Sequence, residues 1–159
     1  MNRDKTQQSA IDLPLNATLL GFDFGLKRIG IASGQRVTSS ASTLITLESR
    51  NNKPDWEAIG SLIEEWRPAA LIVGEPCHLN GEESEITLAA RRFSRQLHGR
   101  FNLPVYMMDE RLSSQEAERI TREARRAGRK GRVNKGDIDK LAAQIILQSW
   151  LDSQQGITT

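Results

Sequence analysis

Residues 19–25 have the sequence Leu-Leu-Gly-Phe-Asp-Phe-Gly, in which one acid, Asp23, interrupts an otherwise apolar run. The run predicts the first strand of a central β-sheet. A carboxylate in a buried strand loses its hydration, so charges in such places are paired or coordinate a metal ion. Asp23 is therefore the first candidate ligand for a cation.

A pair of acids, Asp109 and Glu110, follows the short apolar run of residues 105–108. Side chains at the carboxyl end of a strand face the crevice in which open α/β sheets bind ligands. Because successive residues of a strand face opposite sides, only one of the two acids can point to the core side. The spacing leaves open which of them does.

A third acid, Asp139, stands at the start of an apolar helix predicted from residue 138 to about residue 151. It shares a helix face with Ala142, Ala143 and Ile146, and the two alanines allow that face to lie close against a sheet. Asp139 could merely complement the helix dipole, but Asp137 already stands there as a cap. Three acids on the edges of core elements, far apart in sequence, are what a divalent-cation site needs.

The composition is that of a single globular domain. The chain has 159 residues, of which 38% are apolar and 26% are charged. No apolar run approaches the roughly 18 residues of a membrane span, and the polar N-terminus is not that of a signal peptide. The single cysteine fits a reducing, cytoplasmic location. We expect a disordered tail over residues 1–16, a folded domain over 17–152 and a C-terminal tail over 153–159.

The periodicity of apolar residues predicts a mixed sheet. Three strands with short connections, at about 19–24, 28–33 and 41–47, indicate an antiparallel meander. The period then becomes helical, and helices from residue 55 to 67, from 82 to 98, from 113 to 127 and from 138 to 151 alternate with strands at 69–73 and 105–108. The order β-β-β-α-β-α-β-α-α predicts an α/β domain with a five-stranded mixed sheet flanked by helices.

Basic residues are concentrated between residues 119 and 135, although the net charge is only +2. Such an asymmetry is typical of a surface that binds a polyanion. The alternative is a solvated helix face that continues into a flexible, glycine-interrupted loop. The candidate nucleic-acid contacts are Arg28, Arg122, Arg125, Arg126, Arg129, Lys130, Arg132 and Lys135.

Other chemistries lack their motifs. The chain has no Walker loop, no Gly-x-Ser-x-Gly and no dinucleotide fingerprint. Cys77 and His78 have no second His or Cys pair nearby, so a zinc site is not indicated. The Asp-x-Gly pattern at residues 23–25 also begins the phosphate loops of actin-like and Hsp70-like ATPases. Such an ATPase needs a second phosphate loop and an adenosine pocket, for which this chain has no room.

Four motifs taken together resemble the bacterial YqgF family. They are residues 23–32, residues 73–76 with the Asn-Gly at 80–81, residues 109–113, and residues 139–143. The resemblance covers about residues 18–151. It implies a ribonuclease H-like fold and a nuclease, described in the family either as a Holliday junction resolvase or as the enzyme that processes the 5′ end of pre-16S rRNA.

The resemblance implies that Asp23, Glu110 and Asp139 are the catalytic, metal-binding triad, and it favours Glu110 over Asp109. The bound ion would be Mg²⁺ or Mn²⁺, which suit oxygen ligands. One departure stands in the loop after the fourth strand. The family usually has Gly-Leu-Pro there, where this chain has Gly-Glu-Pro with Glu75.

The sequence as a whole predicts a metal-dependent endonuclease that acts on structured nucleic acid. The family resemblance favours an rRNA precursor as the substrate, and a four-way DNA junction is the alternative. A non-catalytic nucleic-acid-binding module is the alternative of another class. Ribosomal particles are a further expected partner, and a membrane is not. The number of metal ions and the choice between monomer and homodimer stay open.

Overall fold

Five strands and three helices make up the part of the chain that the computed structural model describes, which is residues 13–75, 85–109 and 135–157. The strands are β1 (Thr18–Phe24), β2 (Arg28–Gln35), β3 (Ser40–Glu48), β4 (Ala70–Glu75) and β5 (Val105–Asp109). The helices are α1 (Trp56–Trp66), α2 (Glu85–Phe101) and α3 (Lys135–Ile157). No described helix is long and apolar enough to cross a membrane.

The strands form one mixed sheet in the order β3-β2-β1-β4-β5. The pairs β1–β2 and β2–β3 are antiparallel, whereas β1–β4 and β4–β5 are parallel. The predicted meander followed by parallel crossovers is therefore confirmed. Because β1, β4 and β5 run in the same direction, their carboxyl ends meet at one end of the sheet, where ligands bind in open α/β folds.

The two faces of the sheet carry separate apolar cores. On β1, Leu19 packs with Leu147 and other residues of α3. The alternate residues Leu20 and Phe22 pack on the opposite face, together with residues of α1 and α2. This alternation follows from the two-residue period of a strand. It assigns Asp23, which has the parity of Leu19, to the face covered by α3.

Glycines on β1 and β2 let α3 lie close against the sheet. A Cβ at Gly21 would lie 2.8 Å from the Cβ of Leu147 and 3.3 Å from the carbonyl oxygen of Ala143. Ala142 and Ala143 are buried, as expected for the helix face that contacts the sheet. The close approach therefore requires small residues on both surfaces, and not only the alanines of the helix.

The helix bounds differ from the prediction mainly at α3. This helix begins at Lys135 and ends at Ile157, whereas residues 138 and about 151 were predicted. Asp137 therefore lies within the first turn and is not the residue that precedes it. At the other end Gln154 is still buried, so packing of α3 continues beyond Leu151.

Helices α1 and α2 lie close to their predicted positions. The side chain of Asp55 accepts a hydrogen bond from the backbone N–H of Ala58, 3.1 Å away, and caps α1. Arg67 ends this helix in the left-handed conformation, with φ of 47°, one residue before Pro68. Helix α2 ends at Phe101, slightly beyond the predicted residue 98. The helix predicted from residue 113 to 127 lies outside the described residues.

Residues at the predicted tail boundary contact the domain. Leu13 packs partly against the α3-side core, and its carbonyl oxygen accepts a hydrogen bond from Arg36. The division into a domain at 17–152 with tails on both sides stays a prediction.

Candidate functional site

Asp23 and Asp139 are brought together through a single residue of β2, Gly30. Asp23 and Gly30 are direct partners in the antiparallel β1–β2 pair, so their Cα atoms are about 4.5–5.5 Å apart. A Cβ at Gly30 would lie 2.0 Å from the carbonyl oxygen of Asp139. The backbone of Asp139 therefore lies directly on the residue opposite Asp23. Two of the three predicted acids lie at the same end of the sheet, on the same face.

Glycine at position 30 belongs to the candidate site, and the sequence reasoning missed it. Any side chain there would collide with the N-terminal part of α3, because the Cβ position is also 2.3 Å from the carbonyl carbon of Asp139. The available signal was an isolated glycine inside a strand, which often marks a close approach of another backbone. Sequence alone does not say which element approaches.

Arg28 contacts one of the acids directly. Its Nε atom donates to Oδ2 of Asp139 at 2.8 Å, and the two side chains are 31% and 21% exposed. Arg28 was predicted as a contact for nucleic acid, and its partner in this structure is a carboxylate. Ion pairs at such exposure contribute about 0–1 kcal/mol. Breaking this ion pair, so that Asp139 binds a cation or Arg28 binds a phosphate, would therefore cost little free energy.

The acid in the first turn of α3, Asp137, has its own partner. Oδ1 of Asp137 lies 3.5 Å from Nζ of Lys140, one turn along the helix. Asp137 and Asp139 both occupy the N-terminal end of the helix, where the macrodipole favours negative charge.

The third predicted acid and most of the predicted basic surface are not described. Glu110 lies outside the described residues, and so do Arg122, Arg125, Arg126, Arg129, Lys130 and Arg132. Lys135 is described only as the first residue of α3. Within residues 13–75, 85–109 and 135–157, no group of three His, Cys, Asp or Glu side chains could hold a metal ion. Asp23 and Asp139 supply two carboxylates, whose oxygen atoms are ligands that suit Mg²⁺ or Mn²⁺.

Glu75, the residue that departs from the family pattern, lies on the other face of the sheet. It ends β4 and pairs with Nε of Arg91 on α2. Its neighbours of the same parity on β4, Leu71 and Val73, belong to the core on the α1 and α2 side. Glu75 is therefore separated by the sheet from the face that carries Asp23. The following Cys77 and His78 lie outside the described residues.

The sequence matches a family and its curated members over most of its length. A family model described as "RuvX: Holliday junction resolvase" matches residues 17–153. A protein of Hahella chejuensis is 50% identical over 137 residues, which are 86% of this chain and 85% of that protein. A protein of Legionella pneumophila is 48% identical over 136 residues, which are 86% of this chain and 96% of that protein. Both are named "Putative pre-16S rRNA nuclease".

Two solved structures with a similar fold are junction resolvases. The yeast mitochondrial Holliday junction resolvase Ydc2 superposes with a TM-score of 0.58 at 13% identity, over 98% of this chain and 87% of its own. RuvC of Thermus thermophilus, solved in complex with a Holliday junction substrate, has a TM-score of 0.54 at 19% identity, over 88% of this chain and 96% of its own. At these identities the likeness concerns the fold alone, and it confirms the predicted ribonuclease H-like architecture.

The sheet order, the two acids at its carboxyl end and the match over residues 17–153 agree with the resemblance seen in the four motifs. This chain belongs to the RuvX family of Holliday junction resolvase-like proteins, to which the YqgF motifs pointed.

Proposed function

We propose that this protein is a metal-dependent endonuclease that processes the 5′ end of pre-16S rRNA. The observation that carries the proposal is the contact of Asp139 with Gly30, which brings a helix-borne acid beside the strand-borne Asp23. Relatives at 43–50% identity carry the name "Putative pre-16S rRNA nuclease", which supports this substrate. Cytoplasmic ribosomal precursor particles are the corresponding partners.

Asp23, Glu110 and Asp139 would hold one or two Mg²⁺ or Mn²⁺ ions. When bound, such ions activate a water molecule and stabilise the leaving oxygen of a phosphodiester. The protein contributes the arrangement of its carboxylates, which Gly30 and the packing of α3 impose. Arg28 donates to Oδ2 of Asp139, and in this proposal it would also contact a phosphate of the substrate.

The alternation of β5 supports Glu110 as the third ligand. Tyr106 and Met108 pack on the α3 side of the sheet, whereas Val105 and Met107 pack on the other side. Residue 110 lies an even number of positions beyond Tyr106 and Met108, so the same two-residue period would assign it to their face. An extension of this alternation by one step past Asp109 would direct Glu110 to the face of Asp23.

The basic residues between 122 and 135 would bind the substrate away from the cleaved bond. Arginine and lysine neutralise phosphates and orient a duplex or a folded RNA without reading its sequence. In this role Arg125, Arg126, Arg129, Lys130 and Arg132 would govern affinity and its dependence on salt, while the acids govern cleavage.

The second candidate function is resolution of four-way DNA junctions. It is favoured by the description of the family and by the fold shared with RuvC and Ydc2. Symmetric cleavage of a junction needs two active sites, so this function predicts a stable homodimer, whereas cleavage at one rRNA position needs only a monomer. A non-catalytic binding module would retain nucleic-acid affinity without cleavage.

The test is cleavage of a labelled 16S rRNA precursor and a labelled four-way DNA junction, each in Mg²⁺, in Mn²⁺ and in EDTA. We expect metal-dependent cleavage of the RNA, and its loss in Asp23→Asn and Asp139→Asn. Asp152→Asn makes the same chemical change at the exposed, distal part of α3 and should cleave as the wild type does. Cleavage of the junction alone would support the second function. No cleavage of either substrate would overturn the nuclease proposal.

A further inference from the structure

A basic groove lies on the face of the sheet opposite to α3. It has a volume of about 830 Å³ and is bounded by the end of β1, the segment between β3 and α1, and the exposed side of α2. We call it the α2 groove and define it by Phe24, Lys53, Trp56, Arg92, Arg95 and Arg100. None of these residues belongs to the predicted basic surface between residues 119 and 135.

The charge of the α2 groove is strongly unbalanced. Four cations line it, and Glu85 is the acid among its described lining residues. Arg92 and Arg95 are exposed on α2, and residues three apart on a helix are neighbours, so their side chains flank the same stretch of the groove. Within the described parts of the chain, Arg92, Arg95 and Lys53 have no salt-bridge partner.

The groove also has a rigid aromatic wall. The guanidinium carbon of Arg100 lies 4.3 Å from the ring centroid of Trp56, a distance typical of a cation–π contact. The ring of Phe93 stacks on Trp56 at a centroid distance of 5.5 Å, and the ring of Phe101 lies 6.3 Å from it. Arg100 is therefore held in place, whereas Arg92 and Arg95 extend into solvent and are available to a ligand.

The groove opens at the same end of the sheet as the acids. Phe24 lines the groove and directly follows Asp23 on β1. The two side chains therefore point to opposite faces of the sheet at the same end of the strand. The exposed turn that separates the faces carries Leu26 and Lys27. The backbone N–H of Ser49 donates to the carbonyl oxygen of Lys27 at 2.9 Å, which ties the segment after β3 to this turn.

We propose that the α2 groove binds the phosphodiester backbone of the nucleic-acid substrate beyond the cleavage site. A strand lying against Asp23 and Asp139 would pass over Leu26 and Lys27 and place its next phosphates between Lys53, Arg92 and Arg95. Four cations against one acid match a polyanion, and the exposed arginines provide phosphate contacts that carry no sequence information. This inference rests on the proposed nuclease function, because it requires a nucleic acid at the acids.

The test measures binding without cleavage, with the full chain in EDTA. The probes are a labelled single-stranded RNA, an RNA hairpin and a four-way DNA junction, each titrated at several salt concentrations. The variant Arg92→Gln/Arg95→Gln is compared with Arg36→Gln/Arg67→Asn. The second variant removes the same charge at the opposite end of the sheet, near the start of β1 and of β4. Asparagine is chosen at Arg67 because it tolerates the left-handed backbone there.

We expect the groove variant to bind more weakly than the control variant on at least one probe. The plot of log affinity against log salt should become shallower by about 0.7–0.9 for each phosphate contact that is lost. Loss confined to the two RNA probes identifies RNA as the strand in the groove, and loss confined to the junction identifies DNA.

Equal affinities of the two variants on every probe would overturn the inference, and so would a groove variant that changes only the oligomeric state in sedimentation. The outcome is separable from the nuclease proposal. A groove variant that binds normally, in a protein that still cleaves, removes only the role of the groove. A wild-type protein that neither binds nor cleaves nucleic acid removes the nuclease proposal itself.

Discussion

At the scale of single residues, the site depends on an absent side chain as much as on the acids. Asp23 and Asp139 come from distant parts of the sequence, and Gly30 is the point at which their elements meet. Glu75, at the end of the neighbouring strand β4, points to the opposite face of the sheet from Asp23. It pairs there with Arg91 and cannot join the other acids. Position on a face therefore separates a candidate ligand from a structural carboxylate.

The first prediction concerns Gly30→Ala. The added methyl group would need the space now taken by the carbonyl of Asp139, 2.0 Å away, and backbone atoms cannot yield as a flexible side chain can. We expect a loss of about 1–3 kcal/mol in the free energy of unfolding, as for other overpacked sites, together with loss of cleavage. Urea denaturation and the RNA cleavage assay measure the two effects.

Gly99→Ala is the matched control for this substitution. Gly99 lies in α2, and a Cβ there would meet nothing within 4 Å. Alanine favours a helix over glycine by up to about 1 kcal/mol, so this variant should be as stable as the wild type or more so. Equal stability and activity of Gly30→Ala and the wild type would contradict the described contact between β2 and α3.

At the scale of elements, α3 is the part that joins core packing to the candidate site. Its backbone at Asp139 lies on Gly30, while Ile146, Leu147 and Trp150 pack into the core on the same face of the sheet. A shift of this helix along the sheet would move Asp139 away from Asp23. The position of the acid is therefore set by apolar contacts along the whole helix, not by the ion pair with Arg28.

The second prediction tests that dependence with Leu147→Ala. Leu147 is fully buried against the backbone of β1 at Gly21. Its truncation should cost about 2–5 kcal/mol of unfolding free energy, the usual range for buried leucine. The same change at Leu88, which is 54% exposed on α2, should cost far less. Thermal denaturation of both variants makes the comparison, and equal losses would contradict the packing of α3.

The helices and strands were easier to predict from the sequence than the contacts between them. The strand at residues 19–24 and the helix that begins after Asp55 follow from local periodicity and capping, and both are present. The start of α3 at Lys135 was missed, because Gly136 and Asp137 suggested a loop and a cap. Helix formation at such a boundary depends on packing, which local patterns do not contain.

At the scale of the whole molecule, the sheet separates two surfaces that meet at its carboxyl end. On one face of the sheet, α3 brings Asp139 beside Asp23. The other face carries the α2 groove. Asp23 and Asp139, which the structure brings together, were predictable as candidates because each stands in or beside an apolar run, whereas Glu110 stays a prediction. The cations of the groove were not predictable, because Lys53 precedes α1 whereas Arg92 and Arg95 lie on α2, and only the fold brings them together.

The central claim is that three acids from distant parts of the sequence share one cation site, and Mn²⁺ binding tests it most directly. Isothermal titration calorimetry on the full chain would compare the wild type with Asp23→Asn, Glu110→Gln, Asp139→Asn and the control Asp152→Asn. We predict that each of the first three substitutions weakens Mn²⁺ binding at least tenfold, while the control binds as the wild type does. Wild-type affinity in any of those three variants would contradict the shared site.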